Sequence, residues 1–193
     1  MIVDAMVGFA GAFDSYARET GVTPDQLAEM RTALATYYTG EFATEYAAQN
    51  DNAKFDSAGT VAKLSDSAVV FQYKFIRENK NPLGSKHQLD SLDDGSGYDR
   101  VHGNVHPIIR NYLEKFGYYD IFLVDAENGV VQYSVFKELD YGTSLKNGPW
   151  ANSGLANAYN AAMKLDGPHT AALMDYSLYT PSYDAPAGFI SSP

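Results

Sequence analysis

The chain is expected to fold as an α+β domain, with helices first and an antiparallel sheet after them. Two observations predict this. Apolar residues recur at helical spacing through the first 116 residues, and from residue 117 onward they gather into β-branched and aromatic runs separated by turn residues. Length adds a third. A chain of 193 residues with 45% hydrophobic content can bury a sizeable core. It therefore reads as a single domain over 1–193, helical over 1–116 and sheet-rich over 117–193, with the helices on one face of the sheet.

Residues 2–19 form the first expected helix, closed near Gly21. The opening MIVDAMVGFAGAF is apolar, but Asp4 interrupts it, it has no basic segment, and it is too short to span a bilayer. It is read as neither a signal peptide nor an anchor. Thr23-Pro24-Asp25-Gln26 joins an N-cap, a proline at the first helical position and a capping-box glutamine, so a second helix starts there. Leu27, Met30, Leu34, Tyr38 and Phe42 give it one apolar face. Val61, Leu64, Ala68, Phe71 and Phe75 keep the three-four spacing of one helix buried along a stripe. Intramolecular core suits this stripe better than a dimer seam, because a sustained coiled coil needs more heptads. Asn81 to Gly97 is a long run of turn chemistry, either a binding element or a mobile loop. A helix follows over 98–116, with Val101, Val105, Ile108, Tyr112 and Phe116 on one face and Pro107 expected to kink or restart it.

The strands come next. Tyr118–Asp125 and Val130–Lys137 are rich in β-branched and aromatic residues, and Asn128-Gly129 between them fits a tight type I′ turn. In that register Asp120 lies opposite Lys137 and Val124 opposite Tyr133, so Asp120, Tyr133 and Lys137 share a face with Phe122 and Val135. A three-residue loop with a bulge would shift the pairing by one residue. Residues 150–163 read as a short helix, and 170–176 and 187–192 as two further strands.

A net charge of −10 with no local Lys/Arg cluster disfavours nucleic acid and anionic membrane surfaces as partners. The absence of cysteine excludes disulfides, thiolate metal sites and a cysteine nucleophile. His102 and His106 are spaced like a zinc-binding pair, but the glutamate of H-E-x-x-H is missing, so a helix-surface or capping role is the better reading. Asp90, Asp93, Asp94 and Asp99, interleaved with Gly95, Ser96 and Gly97, lack the spacing of a calcium loop and read as a solvated turn. No G-x-S-x-G, dinucleotide or phosphate-loop motif occurs. The sequence thus points to no catalytic residue, no metal and no cofactor, and to a binding protein over an enzyme.

Tyr118–Asp125, Gly129, Tyr133–Glu138, Asp140–Leu145 and Gly148-Pro149-Trp150 together resemble one subgroup of the extracytoplasmic Cache (PAS-like) sensor domains of bacterial chemoreceptors and sensor histidine kinases. The resemblance extends through 179–183 and 186–189 and back to 71–76, 81–86 and 106–107, covering roughly 61–193. It implies a Cache/PAS-like antiparallel sheet flanked by N-terminal helices, and a small-molecule sensor of a chemotaxis or two-component receptor. It further implies a periplasmic or extracytoplasmic location, membrane anchors outside this fragment, a homodimer in the full receptor, and a further strand after Pro193.

The aromatic and acidic surplus of the second half supplies the expected site. Tyrosine and tryptophan offer an apolar wall with a hydrogen-bonding tip. The expected pocket bears Tyr133 and Lys137, with Asp120 beside them, is closed by Asp140, Tyr141 and Trp150, and receives Tyr176 and Tyr179 from a neighbouring strand end. Its ligand would be anionic or amino-acid-like, with Lys137 meeting the anionic group and Asp140 a donor. Two rival readings are a constitutive dimerisation module with an empty pocket, and a hydrolase-type enzyme using Asp and His in an unfamiliar arrangement.

Overall fold

The computed structural model describes residues 2–167 and 169–193 and shows an α+β architecture. Helix α1 (Ile2–Glu19) ends before Gly21, whose φ of +61° a side chain would resist. Helix α2 (Pro24–Tyr37) starts on the expected capping box: the Thr23 hydroxyl accepts from Gln26 N–H, and the Gln26 side chain accepts from Thr23 N–H. A π-helical turn at Tyr38–Phe42 joins it to α3 (Ala43–Gln49). Met30, Leu34, Tyr38 and Phe42 are buried, as their spacing predicts, and Leu27 is half-buried.

The stripe from Val61 to Phe75 is buried throughout but does not belong to one helix. It is divided between α4 (Ser57–Ala62) and α5 (Asp66–Gln72), with α5 running on through a π-helical turn at Tyr73–Arg77. The break comes at Ser65, whose hydroxyl accepts from Ala68 N–H and so caps a new helix. The last long helix, α6 (Gly97–Phe116), starts on the Ser96 cap and passes Pro107 without ending. The carbonyl that the proline ring crowds, four residues back, belongs to Gly103.

The buried face of α6 differs from the expected one. Ile108, Tyr112 and Phe116 are exposed, and the core side carries Tyr98, His102, His106, Ile109 and Leu113. Tyr98 rotates that face inward because its ring packs edge-on to Phe71 at 4.7 Å and Phe75 at 5.4 Å, beside Tyr16 of α1 at 5.8 Å. Phe13 of α1 stacks on Phe71 at 4.1 Å. An aromatic core thus binds α1, α5 and α6, and it carries two histidines into the interior.

Among the described residues the strand region has four strands in two separate antiparallel pairs instead of one continuous sheet. Strands β1 (Phe122–Val124) and β2 (Val131–Ser134) are shorter than expected. They pair Phe122 with Ser134 and Leu123 with Tyr133, then slip by one residue so that Val124 meets Val131. The tight turn is replaced by a longer loop. Gly129 has φ +71° but Asn128 is not in the left-handed region, and the Asp125 carboxylate accepts from the N–H groups of Glu127 and Asn128. This moves the register by one and puts Leu123, not Val124, opposite Tyr133. It also removes the expected pairing of Asp120 with Lys137. The strand is over at Ser134, the chain bends at residues 135–136, and Lys137 follows at φ +57°.

The free side of β2 is taken by residues 142–145. Val131 N–H donates to Thr143 C=O, Gly142 N–H to Val131 C=O, and Leu145 N–H to Gly129 C=O. Gly142 has φ +77°, and a Cβ there would come within 3.3 Å of Ala68 Cα and Phe71 Cβ, so only glycine lets this loop rest on α5. Helix α7 (Gly154–Ala162) begins on the Ser153 cap, later than the expected residue 150. It carries the second pair, β3 (Ala172–Tyr179) and β4 (Ala185–Ser191).

Candidate functional site

The backbone from Leu139 to Tyr141 is held by the side chains of Gln72 and Trp150. Gln72 of α5 donates to Leu139 C=O at 2.8 Å and Tyr141 C=O at 3.0 Å while accepting from the Tyr38 hydroxyl at 2.6 Å, and Trp150 Nε1 donates to Leu139 C=O at 2.8 Å. Trp150 is therefore a buried brace of the loop. Tyr141 is fully buried, and its hydroxyl meets that of Tyr98, which donates to Gln132 C=O.

Around this frame lie two buried polar groups. In the first, Tyr133, His106 and Lys137 converge. His106 Nε2 is 2.6 Å from His87 C=O, which makes it the protonated nitrogen, so Nδ1 accepts from the Tyr133 hydroxyl at 2.7 Å. Lys137, only 1% exposed, donates to Val135 C=O at 3.2 Å and packs its Nζ against the imidazole, 3.2 Å from Nε2. Among the described residues it forms no salt bridge. Loss of hydration holds the ammonium well below the ordinary lysine range, and the more distant Asp120 opposes this. His102 stacks behind His106 at 4.5 Å, gives its Nδ1 proton to Asp90 C=O, and leaves Nε2 buried without a partner. Burial pushes His106 down to about 3 and His102 in the same direction.

The second group is acidic. Asp140 is fully buried; Oδ2 accepts from the Tyr179 hydroxyl and Oδ1 has no partner. Burial and the neighbouring Asp120 raise its carboxyl to about 7. Glu138 accepts from Tyr119 and Ser182, and burial together with Asp140 raises it to about 8. Asp120 accepts from the N–H groups of Ile121, Val135 and Phe136 and from the Ser134 hydroxyl; burial outweighs these contacts and raises it to about 6.

Of the expected residues, Tyr133, Lys137, Asp140, Tyr141, Trp150 and Tyr179 are gathered around the β2 to α7 segment, and Asp120 anchors its backbone. Tyr176 is not among them. It is 75% exposed, and its ring lies across Gly188 on the outer face of β3–β4. The bulge between Met174 and Ser177 breaks the alternation that would have turned it inward. Sequence reasoning did not place Tyr98, Arg110 or Glu138 at the site, and it gave the His102/His106 pair a helix-surface or capping role, whereas both histidines are buried. The readable signal was the i, i+4 spacing of Tyr98, His102 and His106, continued at i+3 by Ile109, which marks one helix face.

A cavity of about 20 Å³ lies beside Lys137, walled by Tyr37, Phe42, Leu83, Lys86, Phe136 and Tyr183 among others. It holds about one water molecule, and Leu83, Gly84 and Lys86 of the loop after α5 form one of its walls. Comparison with family models, with curated proteins and with solved structures finds no match for the chain.

Proposed function

We propose that this chain is a Cache (PAS-like) sensor domain, the extracytoplasmic small-molecule-binding part of a bacterial transmembrane chemotaxis or two-component receptor. The observation that carries the reading is Lys137. A fully buried lysine that forms no salt bridge among the described residues, three residues from a fully buried Asp140 with an unpartnered oxygen, is costly to maintain for stability alone. A buried amine without a countercharge and a carboxyl oxygen without a donor suit a ligand that completes them. The residues that carry the resemblance, 118–125 and 133–150, also build the walls of this site. Binding is its action. A ligand shifts the receptor only through differential affinity for two arrangements of the helices, and dimerisation in the membrane would bring two such domains together.

Thermal-shift screening of small metabolites tests this. A compound present at a hundredfold excess over its Kd adds ~2.7 kcal/mol to stability by mass action, and the gain should vanish in Lys137→Met. A broad metabolite panel that leaves the melting temperature unmoved would refute the sensor reading.

A further inference from the structure

The acidic side chains between the β1–β2 hairpin and the turn after β3 have hydroxyl and amide donors but no cation. Among the described residues Asp120, Glu138 and Asp140 form no ion pair, and Asp140 Oδ1 is buried without any partner. Glu138 accepts one hydroxyl on each oxygen, from Tyr119 at Oε1 and from Ser182 at Oε2, so each oxygen keeps a lone pair. It also lines the cavity of about 20 Å³ beside Lys137, where Tyr37, Phe42, Phe136 and Tyr183 supply four aromatic walls. A carboxylate set among aromatic side chains suits an ammonium group, because it supplies the countercharge while the electron-rich ring faces attract the cation. Two lysines share the wall, yet both are engaged elsewhere: Lys86 Nζ donates to Asn79 C=O at 2.7 Å and Lys137 Nζ to Val135 C=O at 3.2 Å. We propose that this cavity binds the head of a small primary ammonium ion, with Glu138 as its countercharge. This ligand is separate from the one that Lys137 would meet under the sensor reading, so the two readings fail separately.

The available space sets the size of the head. A volume of about one water molecule admits an unsubstituted NH3+ group and excludes a trimethylated one. Gly84 marks the mouth: nothing lies within 4 Å of where its Cβ would stand, so the tail of an alkylamine would leave there. Charge balance sets the pH dependence. The titratable and charged groups around Glu138 are Tyr37, Glu41 and Glu45 from the α2–α3 segment, Arg77 and Lys86 from the end of α5 and the loop after it, Tyr119 and Asp120 before β1, Lys137 and Asp140 on either side, and Tyr179 and Tyr183 after them. Burial and Asp140 raise the Glu138 carboxyl to about 8, so near neutral pH it carries a proton. An ammonium that enters favours the ionised form, and the proton leaves to solvent. Binding therefore strengthens as pH rises toward about 8 and levels off above it, while the amine, with an ordinary value of about 10.4, stays charged.

Thermal shift and calorimetric titration of the 193-residue chain with ammonium, methylammonium and propylammonium chloride, against potassium chloride at equal ionic strength, test the proposal. At about pH 8.5 the three ammonium ions should raise the melting temperature above the potassium control and tetramethylammonium should not, with Kd weakening by up to about tenfold per unit as pH falls below about 8. Glu138→Gln should weaken binding by about tenfold or more and remove its pH dependence. Should that variant fail to fold, Phe136→Leu at the half-buried wall provides the second arm, with Kd weaker by about two- to fivefold and the pH dependence retained. Lys137→Met should bind the ammonium ions as the parent does, whereas the ligand of the sensor reading should lose its effect there. Equal Kd values at about pH 6 and about pH 8.5, or unchanged binding in Glu138→Gln, would overturn the role of Glu138. Tetramethylammonium binding as tightly as methylammonium would overturn the primary-amine assignment. If no ammonium ion stabilises the protein beyond potassium at about 10 mM, tenfold above a weak Kd of about 1 mM, the cavity is not a cation site, and the sensor reading stands or falls on its own metabolite panel.

Discussion

The two hairpins of this chain are built in opposite ways. β1–β2 pairs over only a few residues, yet every residue of β2 is buried, and its second side is closed by residues 142–145. β3–β4 pairs over a longer stretch, but Leu173, Tyr176, Leu178 and Ile190 face outward, and contact with the rest of the protein comes through α7, through Tyr179 at the end of β3 and through the turn at residues 180–184. Regular pairing and structural weight are therefore uncoupled here. The short hairpin holds the buried polar groups in place, and it does so with tertiary hydrogen bonds more than with a ladder.

Substitutions can break this contrast. Tyr133→Ala removes a fully buried ring that packs on Phe9 at 4.9 Å, and should cost ~3–5 kcal/mol in chemical denaturation; a loss below ~1 kcal/mol would mean that the short hairpin is not the better anchored one. Gly142→Ala forces a side chain at φ +77° against α5 and should cost ~1–3 kcal/mol. A protein as stable as the parent would show that the loop can lift from the helix.

The pH dependence of stability sharpens the comparison. Asp140 and Glu138 have folded-state values raised to about 7 and about 8, so their neutral forms favour the native state, and that contribution is lost as pH rises through those values. His106, lowered to about 3, works the other way, and its contribution is lost as pH falls from its ordinary value near 6.5. Above that value the buried carboxyls are opposed by Lys137, which burial holds below the ordinary lysine range so that its contribution grows as pH rises. Measured against Asp140→Asn, the parent should lose stability as pH rises to about 7, a difference that isolates the carboxyl from the amine. An unchanged slope in that variant would locate the titration elsewhere. Smallest of all, Leu178→Ser on the outer face of β3 should stay within ~0.5 kcal/mol of the parent. A larger loss would show that this face is covered.

What could be read in the sequence was whatever local chemistry decides. The Thr23 capping box, the Gly21 stop and the change of period after residue 116 are all realised, because each depends on neighbours within a few residues. The two misplaced features depended on distant partners. The buried face of α6 is chosen by Tyr98 against Phe71 and Phe75, which no periodicity within 98–116 reveals. The hairpin register is set by the Asp125 carboxylate, which capped a longer loop where Asn128-Gly129 alone suggested a tight one. The site was legible where one residue type had an evident use, as with Lys137, Asp140 and Tyr141. It was illegible where a histidine had to be carried inward by a neighbour's ring.

The segment that covers the site is fastened at both ends. Asn79 donates to Phe75 C=O and Lys86 C=O and accepts from Asn81 N–H, while the Lys86 amine returns a bond to Asn79 C=O at 2.7 Å. Such a double clasp ties residues 79 and 86 to each other, so that an opening of the stretch between them would have to break both bonds together and not one residue at a time. Entry would then wait on one cooperative opening event, so that compounds of different size share a similar association rate and differ in how long they stay.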